Sequence, residues 1–511
     1  MKNTIKKIWL LLTLALSIVS LQAQQPKRPN IILFLVDDMG WEDTSVPFSG
    51  SQTANNRKYH TPFMEQLAKE GMLFTNAYSN TVCTPTRVSL MTGWNAAHHH
   101  VTNWTHPEKD HTADAPDDQF LPTEWNLNGL SPVAGIANTF YNDKPLPQRL
   151  KEAGYFTIHV GKAHWGSQGT PGASPYNIGF TVNIAGHAAG HPQSYLSEDN
   201  YGNLPGKNSA QSVPDLEQYW QSGTFLTEAL TREALQALDL PVKQHQPFFL
   251  NLAHYAVHVP LMADKRYYQQ YLDRGLDSTE AKYASLLEGM DASLGEVMNY
   301  LKEKRLTDNT LLIFLSDNGG LSIAPPRGGA SHTQNLPLKA GKGSLYEGGI
   351  RVPMIVRYPQ VVKPGTTSSV PVMAEDFLPT VLDAAGIKRN ADITALDGRS
   401  YLPALTGKKQ SDNTRELVWH YPNKWRGEDG PAINYYSAIR KGDWKLVYSL
   451  RTSKAELYNL RNDLGEEHDL ATELPEKVTE LKVLLGNTLK KFDAPMPVVR
   501  ATGQKVPYPG R

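Results

Sequence analysis

Asn30-Ile31-Ile32-Leu33-Phe34-Leu35-Val36 is an unbroken apolar run that halts at Asp37-Asp38. A strand with one wet face alternates apolar and polar residues, whereas a parallel strand covered on both faces reads as a continuous run. The stretch therefore predicts a central parallel strand with two acids at its carboxyl end. Working outward, Phe156–Val160 is a weaker run ending at Gly161-Lys162-Ala163-His164, and Phe248–Leu252 leads to His254 and then Val257-His258-Val259-Pro260. Thr310–Leu315 ends at Ser316-Asp317-Asn318-Gly319-Gly320. A fifth run, Val352–Val356, is instead preceded by Gly341-Lys342-Gly343 and Tyr346-Glu347-Gly348-Gly349.

Helical stretches separate these runs, so the chain reads as alternating β and α, an α/β fold. Thr61-Pro62 opens a helix with an N-cap and a proline at the first helical position, and Gly71 closes it. Leu146–Ala153 makes another, while Phe225–Leu240 and Glu280–Leu306 carry apolar residues at three-to-four spacing over enough length to cross a sheet. An open α/β sheet binds its ligand outside the carboxyl ends of its strands. Four of the runs end there in charged or imidazole side chains.

The 511 residues carry a formal charge of +0. Lys2, Lys6 and Lys7, the apolar stretch Ile8–Leu21 and the small residue in Gln22-Ala23-Gln24 read as a signal peptide over residues 1–23. Its removal would take the charge to −3, with 48 basic residues (51 less three lysines) against 51 acidic ones. Neither value suits a nucleic-acid protein. No second apolar run reaches membrane length, so stable membrane insertion is not expected and a periplasmic or secreted location is. A hydrophobic content of 40% is ordinary for a packed globule with one large α/β domain and a smaller appendage.

Each polar cluster has a bland reading when taken singly. Acids after a strand cap helices or face water, and lone lysines or histidines such as Lys162, His164, His258 and Lys342 are more often structural than catalytic. Together, Asp37, Asp38, Asp317 and Asn318 make a hard, all-oxygen ligand set, which favours calcium or magnesium over zinc. His98-His99-His100 cannot all face one point, so a solvated or substrate-facing loop is expected. The chain's one cysteine lies in Cys83-Thr84-Pro85-Thr86-Arg87. Pro85 suits the first position of a helix running to Gly93, placing Cys83 just before an electropositive helix end and Arg87 one turn in. A buried structural cysteine and a thiol nucleophile paired with a histidine are the competing readings.

Cys83-Thr84-Pro85-Thr86-Arg87 with Leu90, Thr92 and Gly93 resembles the signature of the formylglycine-dependent, type I sulfatases of the alkaline phosphatase superfamily. Gly154-Tyr155 through Gly161-Lys162-Ala163-His164 is similar to their second signature. Asp37-Asp38, Ser316-Asp317-Asn318-Gly319 and Gly341-Lys342-Gly343 through Pro353 match further. The resemblance, from about Pro29 to Leu470, implies a large mixed, mostly parallel sheet sandwiched by helices, with a smaller C-terminal antiparallel sheet plus helix. It implies that a maturation enzyme oxidises Cys83 to formylglycine, and that Asp37, Asp38, Asp317, Asn318 and the modified residue 83 hold one calcium ion. Arg87, Lys162 and Lys342 would bind the sulfate oxygens, and His258 with Lys342 would protonate the departing alcohol. Hydrated formylglycine would attack sulfur with help from Asp317, and His164 would act as the base that releases sulfate. Ala163 stands where the family often has Trp or Leu. Val257 replaces the usual proline before His258, which keeps His254 as the reserve candidate.

The resemblance divides the chain into a catalytic domain over residues 24–414 and a subdomain over 415–511. In the latter, Ser437–Tyr448 reads as a hairpin turning at Lys441-Gly442-Asp443, Glu456–Leu460 as a further strand, and Val478, Leu481, Leu485 and Leu489 as one face of a terminal helix. Trp94–Asp143 and Gly166–Thr224 lack sustained periodicity, as binding loops do. Trp94, His98–His100, Asn103, Trp104 and His106 are the expected specificity residues, with Trp419, His420, Trp425 and Arg426 reaching the cleft from the subdomain. The expected activity is hydrolysis of a sulfate ester on a carbohydrate, with a lean to galactose or N-acetylgalactosamine sulfate. A phosphonate monoester or phosphodiester hydrolase and an inactive glycan-binding relative are the alternatives.

Overall fold

The computed structural model describes residues 28–321, 335–388, 395–408, 414–425 and 430–510, so the leader read at residues 1–23 and Arg426 lie outside it. All seven residues of β1 (Asn30–Val36) are buried. Ile32, Phe34 and Val36 point into one core, and Ile31, Leu33 and Leu35 into another on the opposite face. At roughly 1.5–3 kcal/mol for each fully buried large apolar side chain, this two-sided burial is why the run is continuous.

The other strands of the main sheet are β2 (Met72–Phe74), β3 (Phe156–Gly161), β4 (Val182–Ile184), β5 (Phe248–Ala253), β6 (Thr310–Ser316), β7 (Met354–Arg357) and β8 (Thr366–Ser368). Among the described residues this sheet has eight strands in the order β8-β2-β7-β6-β1-β5-β3-β4. β5 and β6 flank β1 in parallel, with Leu33 opposite both Asn251 and Ile313. β7 alone runs antiparallel to both of its neighbours. It enters the sheet at the edge where the parallel strands leave, which brings the residues before β7 to the edge that holds the residues after β1, β3, β5 and β6. The fifth apolar run thus begins two residues later than read from sequence, and in the opposite sense to the other four.

Helices cover both faces. α4 (Leu226–Lys243) and α5 (Ser278–Glu303) pack on the Phe34 side, and α2 (Cys83–Thr92) and α6 (Phe377–Ala384) on the Leu33 side. α1 (Pro62–Glu70) starts where expected, but Thr61 does not cap it; the Thr61 hydroxyl instead bonds Thr44 and Ser45. The free amides of Phe63 and Met64 donate to the Asp291 carboxylate of α5 at 3.0 and 2.8 Å. The cap is therefore tertiary, and Asp291→Ala is expected to lower unfolding stability by about 1–2 kcal/mol in denaturant titration, the usual cost of a lost N-cap.

β9 (Glu416–Tyr421), β10 (Tyr436–Lys441), β11 (Trp444–Ser449) and β12 (Ala455–Asn459) form an antiparallel sheet in that order. Leu481, Leu485 and Leu489 of α7 (Pro475–Lys491) pack on one face against Ile439, Leu446 and Leu457. The other face meets the main sheet through Trp419, Ala438 and Val447 against Tyr78, Val82 and Ile350. At that junction the Lys445 ammonium lies 2.9 Å from Glu347 and 2.8 Å from Glu466, all three side chains fully buried.

Candidate active site

The carboxyl edge of the main sheet collects a dense group of buried charges. β1 delivers Asp37 and Asp38, β6 delivers Asp317 and Asn318, and all four are buried to 2% exposure or less. Lys162 follows β3 through Gly161, whose φ of +96° and closeness to the Ala253 carbonyl (2.1 Å from where a Cβ would stand) exclude a side chain. Its ammonium lies 2.6 Å from Asp37 Oδ2. Lys342, from the segment before β7, lies 2.6 Å from Asp38 Oδ1. Arg87, on the second turn of α2, grips Asp317 through Nε at 2.9 Å and Nη2 at 2.8 Å and donates to the Lys162 carbonyl at 2.7 Å.

Cys83 is the first residue of α2, after the N-cap Val82, rather than a residue outside it, and Pro85 sits in the first turn. No side chain caps this helix. Its Sγ is 3.8 Å from Asp37 Oδ1 and 3.5 Å from Lys342 Nζ. Burial opposes the thiolate, yet Lys162 and Lys342 outweigh it and bring the thiol down to about 6. Burial and the Asp317 carboxylate push Asp37 well above the usual carboxylate range, against the pull of Lys162. Burial also acts on Asp38 and Asp317, but His258 with Lys342, and Arg87 with Lys162, hold these two below that range.

Asn318 Nδ2 donates to Asp38 Oδ1 at 2.7 Å, while its buried Oδ1 accepts no hydrogen bond among the described residues. Three carboxylates crowded together and a buried amide oxygen with no donor are the set a hard divalent cation satisfies, so these residues fit calcium. His258 donates from Nδ1 to the Val259 carbonyl at 2.8 Å, which leaves Nε2 3.1 Å from Lys342 Nζ and 3.5 Å from Asp38. His254 is elsewhere: it is buried against Phe34, bonded to Ser293, and held neutral by burial at about 3. The structure thus separates the two histidine candidates in favour of His258.

His164 donates from Nε2 to the Thr105 carbonyl at 2.9 Å, leaving Nδ1 as an acceptor. Burial, with Lys162 and Arg87, keeps this ring neutral. Its φ of +55°, like the +61° of Asp38, lies in the left-handed region that side-chain-bearing residues adopt uncommonly.

Above Cys83 opens a cleft of about 400 Å³, walled by His164, His258, Lys342, Trp104, His106 and Trp425, with His191 and Gln211 from the long segment after β4. His191 stacks on His258 with ring centroids 5.6 Å apart and planes 9° apart. Neither His191 nor Gln211 was legible in sequence, because their segment carries no periodicity and no charged cluster. The histidine run is not a substrate-facing loop: His99 is fully buried and bonds Ser89, His98 pairs with Asp397 and stacks on Phe492, and His100 bonds the Phe492 carbonyl. Trp94 meets His98 edge-on in the same packing. Trp419 and His420 are likewise structural, the first packed edge-on to Tyr78 and the second bonded to Ser437 and the Pro495 carbonyl.

The family described as Sulfatase matches residues 29–387, and that described as N-sulphoglucosamine sulphohydrolase, C-terminal, matches 341–494. A sulfatase of Formosa agariphila is 29% identical over 94% of this chain and 92% of its own. The N-acetylgalactosamine-6-sulfatase of Rattus norvegicus is 31% identical over 90% of this chain and 86% of its own. The crystal structure of Ps i-CgsB superposes with a TM-score of 0.70 at 29% identity, covering 90% of this chain and 93% of that one. With the family match spanning most of the catalytic edge from Asp37 to Lys342, the chain belongs to the sulfatase family of the alkaline phosphatase superfamily, and it is a sulfuric ester hydrolase.

Proposed function

We propose that this enzyme removes sulfate from a sulfated carbohydrate outside the cytoplasm, and that residue 83 acts after conversion from cysteine to formylglycine. The observation that carries the reading is the convergence of Asp37, Asp38, Asp317, Asn318, Lys162, Lys342 and Arg87 on the buried start of α2. A relative named N-acetylgalactosamine-6-sulfatase supports a sugar substrate, as does a second Ps i-CgsB crystal structure, solved with k-i-k-neocarrahexaose. Galactose or N-acetylgalactosamine sulfate is the preferred class. Lys2, Lys6 and Lys7 before an apolar stretch support export, and among the described residues no helix is long and apolar enough to cross a membrane.

Asp37, Asp38, Asp317 and Asn318, with residue 83, would hold calcium, which when bound supplies a Lewis acid facing the sulfate oxygens. Formylglycine, made by a maturation enzyme, supplies a hydroxyl nucleophile in place of a thiol. Lys162, Lys342 and Arg87 gather with their carboxylate partners at residue 83, where charge builds on the transferring sulfuryl group. Their carboxylate partners fix them there before substrate arrives. His258 Nε2 and Lys342 Nζ lie 3.1 Å apart on the cleft wall and are placed to hold the proton that the leaving alcohol takes. His164, neutral and oriented through Thr105, has Nδ1 placed to accept a proton.

The test is sulfate release by matured enzyme from a panel of defined sulfated sugars, including galactose 6-sulfate and N-acetylgalactosamine 6-sulfate, beside an aryl phosphonate. Release from a sugar with weaker action on phosphonate is expected; the reverse order would overturn the reading. A phosphonate monoester hydrolase from Silicibacter pomeroyi shares the fold at 19% identity, which makes the comparison necessary. Chelation should reduce release at least about tenfold, and calcium should restore it more fully than zinc does, as a hard oxygen set requires.

A further inference from the structure

The cleft has two different ends. At its floor lie the cations and carboxylates around Cys83, and at its mouth stand two half-buried indoles, Trp104 and Trp425. Trp425 lies against Gly343, one residue from Lys342, so closely that a Cβ there would be 2.1 Å from the ring. Trp104 precedes Thr105, whose carbonyl orients His164 and whose amide donates to Thr84 Oγ1 at 2.9 Å. One indole is therefore anchored on the Lys342 side of residue 83, and the other on the His164 side.

The two are also tied to each other. Asn423 Oδ1 accepts from Thr102 Oγ1 at 2.7 Å, and Asn103 Oδ1 accepts from the Tyr421 hydroxyl at 2.8 Å. Asp114 Oδ1 receives Asn103 Nδ2 at 2.8 Å and Asn423 Nδ2 at 3.0 Å, so one carboxylate braces both strips. These bonds involve Thr102 and Asn103 on one strip and Tyr421 and Asn423 on the other, all within four positions of a tryptophan, and are buried or half-buried, which sets the indoles before any ligand arrives.

Resting on the sulfatase reading above, we infer that Trp104 and Trp425 are the specificity-determining walls for the sugar ring that bears the sulfate, with Asn423 as the residue that positions them. An indole offers a broad apolar face to the C–H face of a pyranose at little entropic cost, while the cations hold only the sulfate. The ligand class is thus a pyranose sulfate whose ring leaves the floor between two aromatic walls.

The test uses matured full-length enzyme and the sulfated sugar it turns over fastest. Trp104→Ala and Trp425→Ala should each raise KM at least tenfold while kcat changes less than threefold, and Trp104→Phe and Trp425→Phe should recover most of the loss. The inhibition constant of free inorganic sulfate should stay within twofold in every variant, which also reports an intact fold. Asn423→Ala should raise KM similarly, and adding it to the Trp104→Ala/Trp425→Ala double variant should raise KM no further. KM values within twofold of wild type in both alanine variants would overturn the inference and leave the sulfatase reading standing. Equal weakening of inorganic sulfate binding, or a fully additive Asn423→Ala effect, would overturn the wall or the positioning role respectively. A wild-type enzyme that releases no sulfate from any sugar would sink both readings.

Discussion

Cys83→Ala should abolish sulfate release, by at least about 10⁴-fold in kcat, because the loss of a covalent nucleophile costs more than the loss of any one electrostatic partner. The fold should survive, since a small side chain is replaced by one of similar size at the floor of the cleft, and the melting temperature should move by a few degrees at most. Peptide mass spectrometry of the wild type should show the Cys83 sulfur replaced by a carbonyl oxygen. Enzyme made without a maturation system should keep the thiol and approach the alanine variant in rate. Wild-type rates from the alanine variant would refute nucleophilic catalysis at residue 83.

Lys445→Met should produce the largest loss of stability, about 3–5 kcal/mol, because it strips the counter-charge from buried carboxylates. Glu347 keeps Arg351 at 2.7 Å, but Glu466, which burial and Glu347 already push to about 7, loses its ammonium partner. Denaturant titration would measure the loss, and activity per folded molecule should stay near wild type because Lys445 does not line the cleft. Adding Glu466→Gln to Lys445→Met should recover part of the stability, since the neutral amide needs no counter-ion. A change below about 1 kcal/mol would mean that the carboxylates find other partners.

Legibility from sequence followed physical cause. β1, β5 and β6 could be read because burial on both faces leaves a mostly apolar run, and the acids after β1 and β6 and the histidines after β5 were visible as breaks from it. β2, β4 and β8 are three residues each, too short for any period to register. The Asp291 cap on α1 could not be read because its donors and acceptor are brought together only by packing. At the site, Cys83, Arg87, Lys162 and Lys342 stood out through motif spacing, whereas His191 and Gln211 had only irregular sequence around them. The histidine run misled because composition was taken for exposure, when its rings fill space between the catalytic sheet and α7. The bond between Thr102 and Asn423 joins residues 321 positions apart, a distance over which no local pattern carries information.

The reversed strand β7 also sets a schedule. Synthesis runs from Asp37 toward Lys342, and the chain must emerge past β7 before the sheet edge can close around residue 83. Until then the cysteine, 3% exposed once folding is complete, sits on an open nascent chain. On the proposed conversion to formylglycine, the maturation enzyme would have to reach residue 83 before that edge closes.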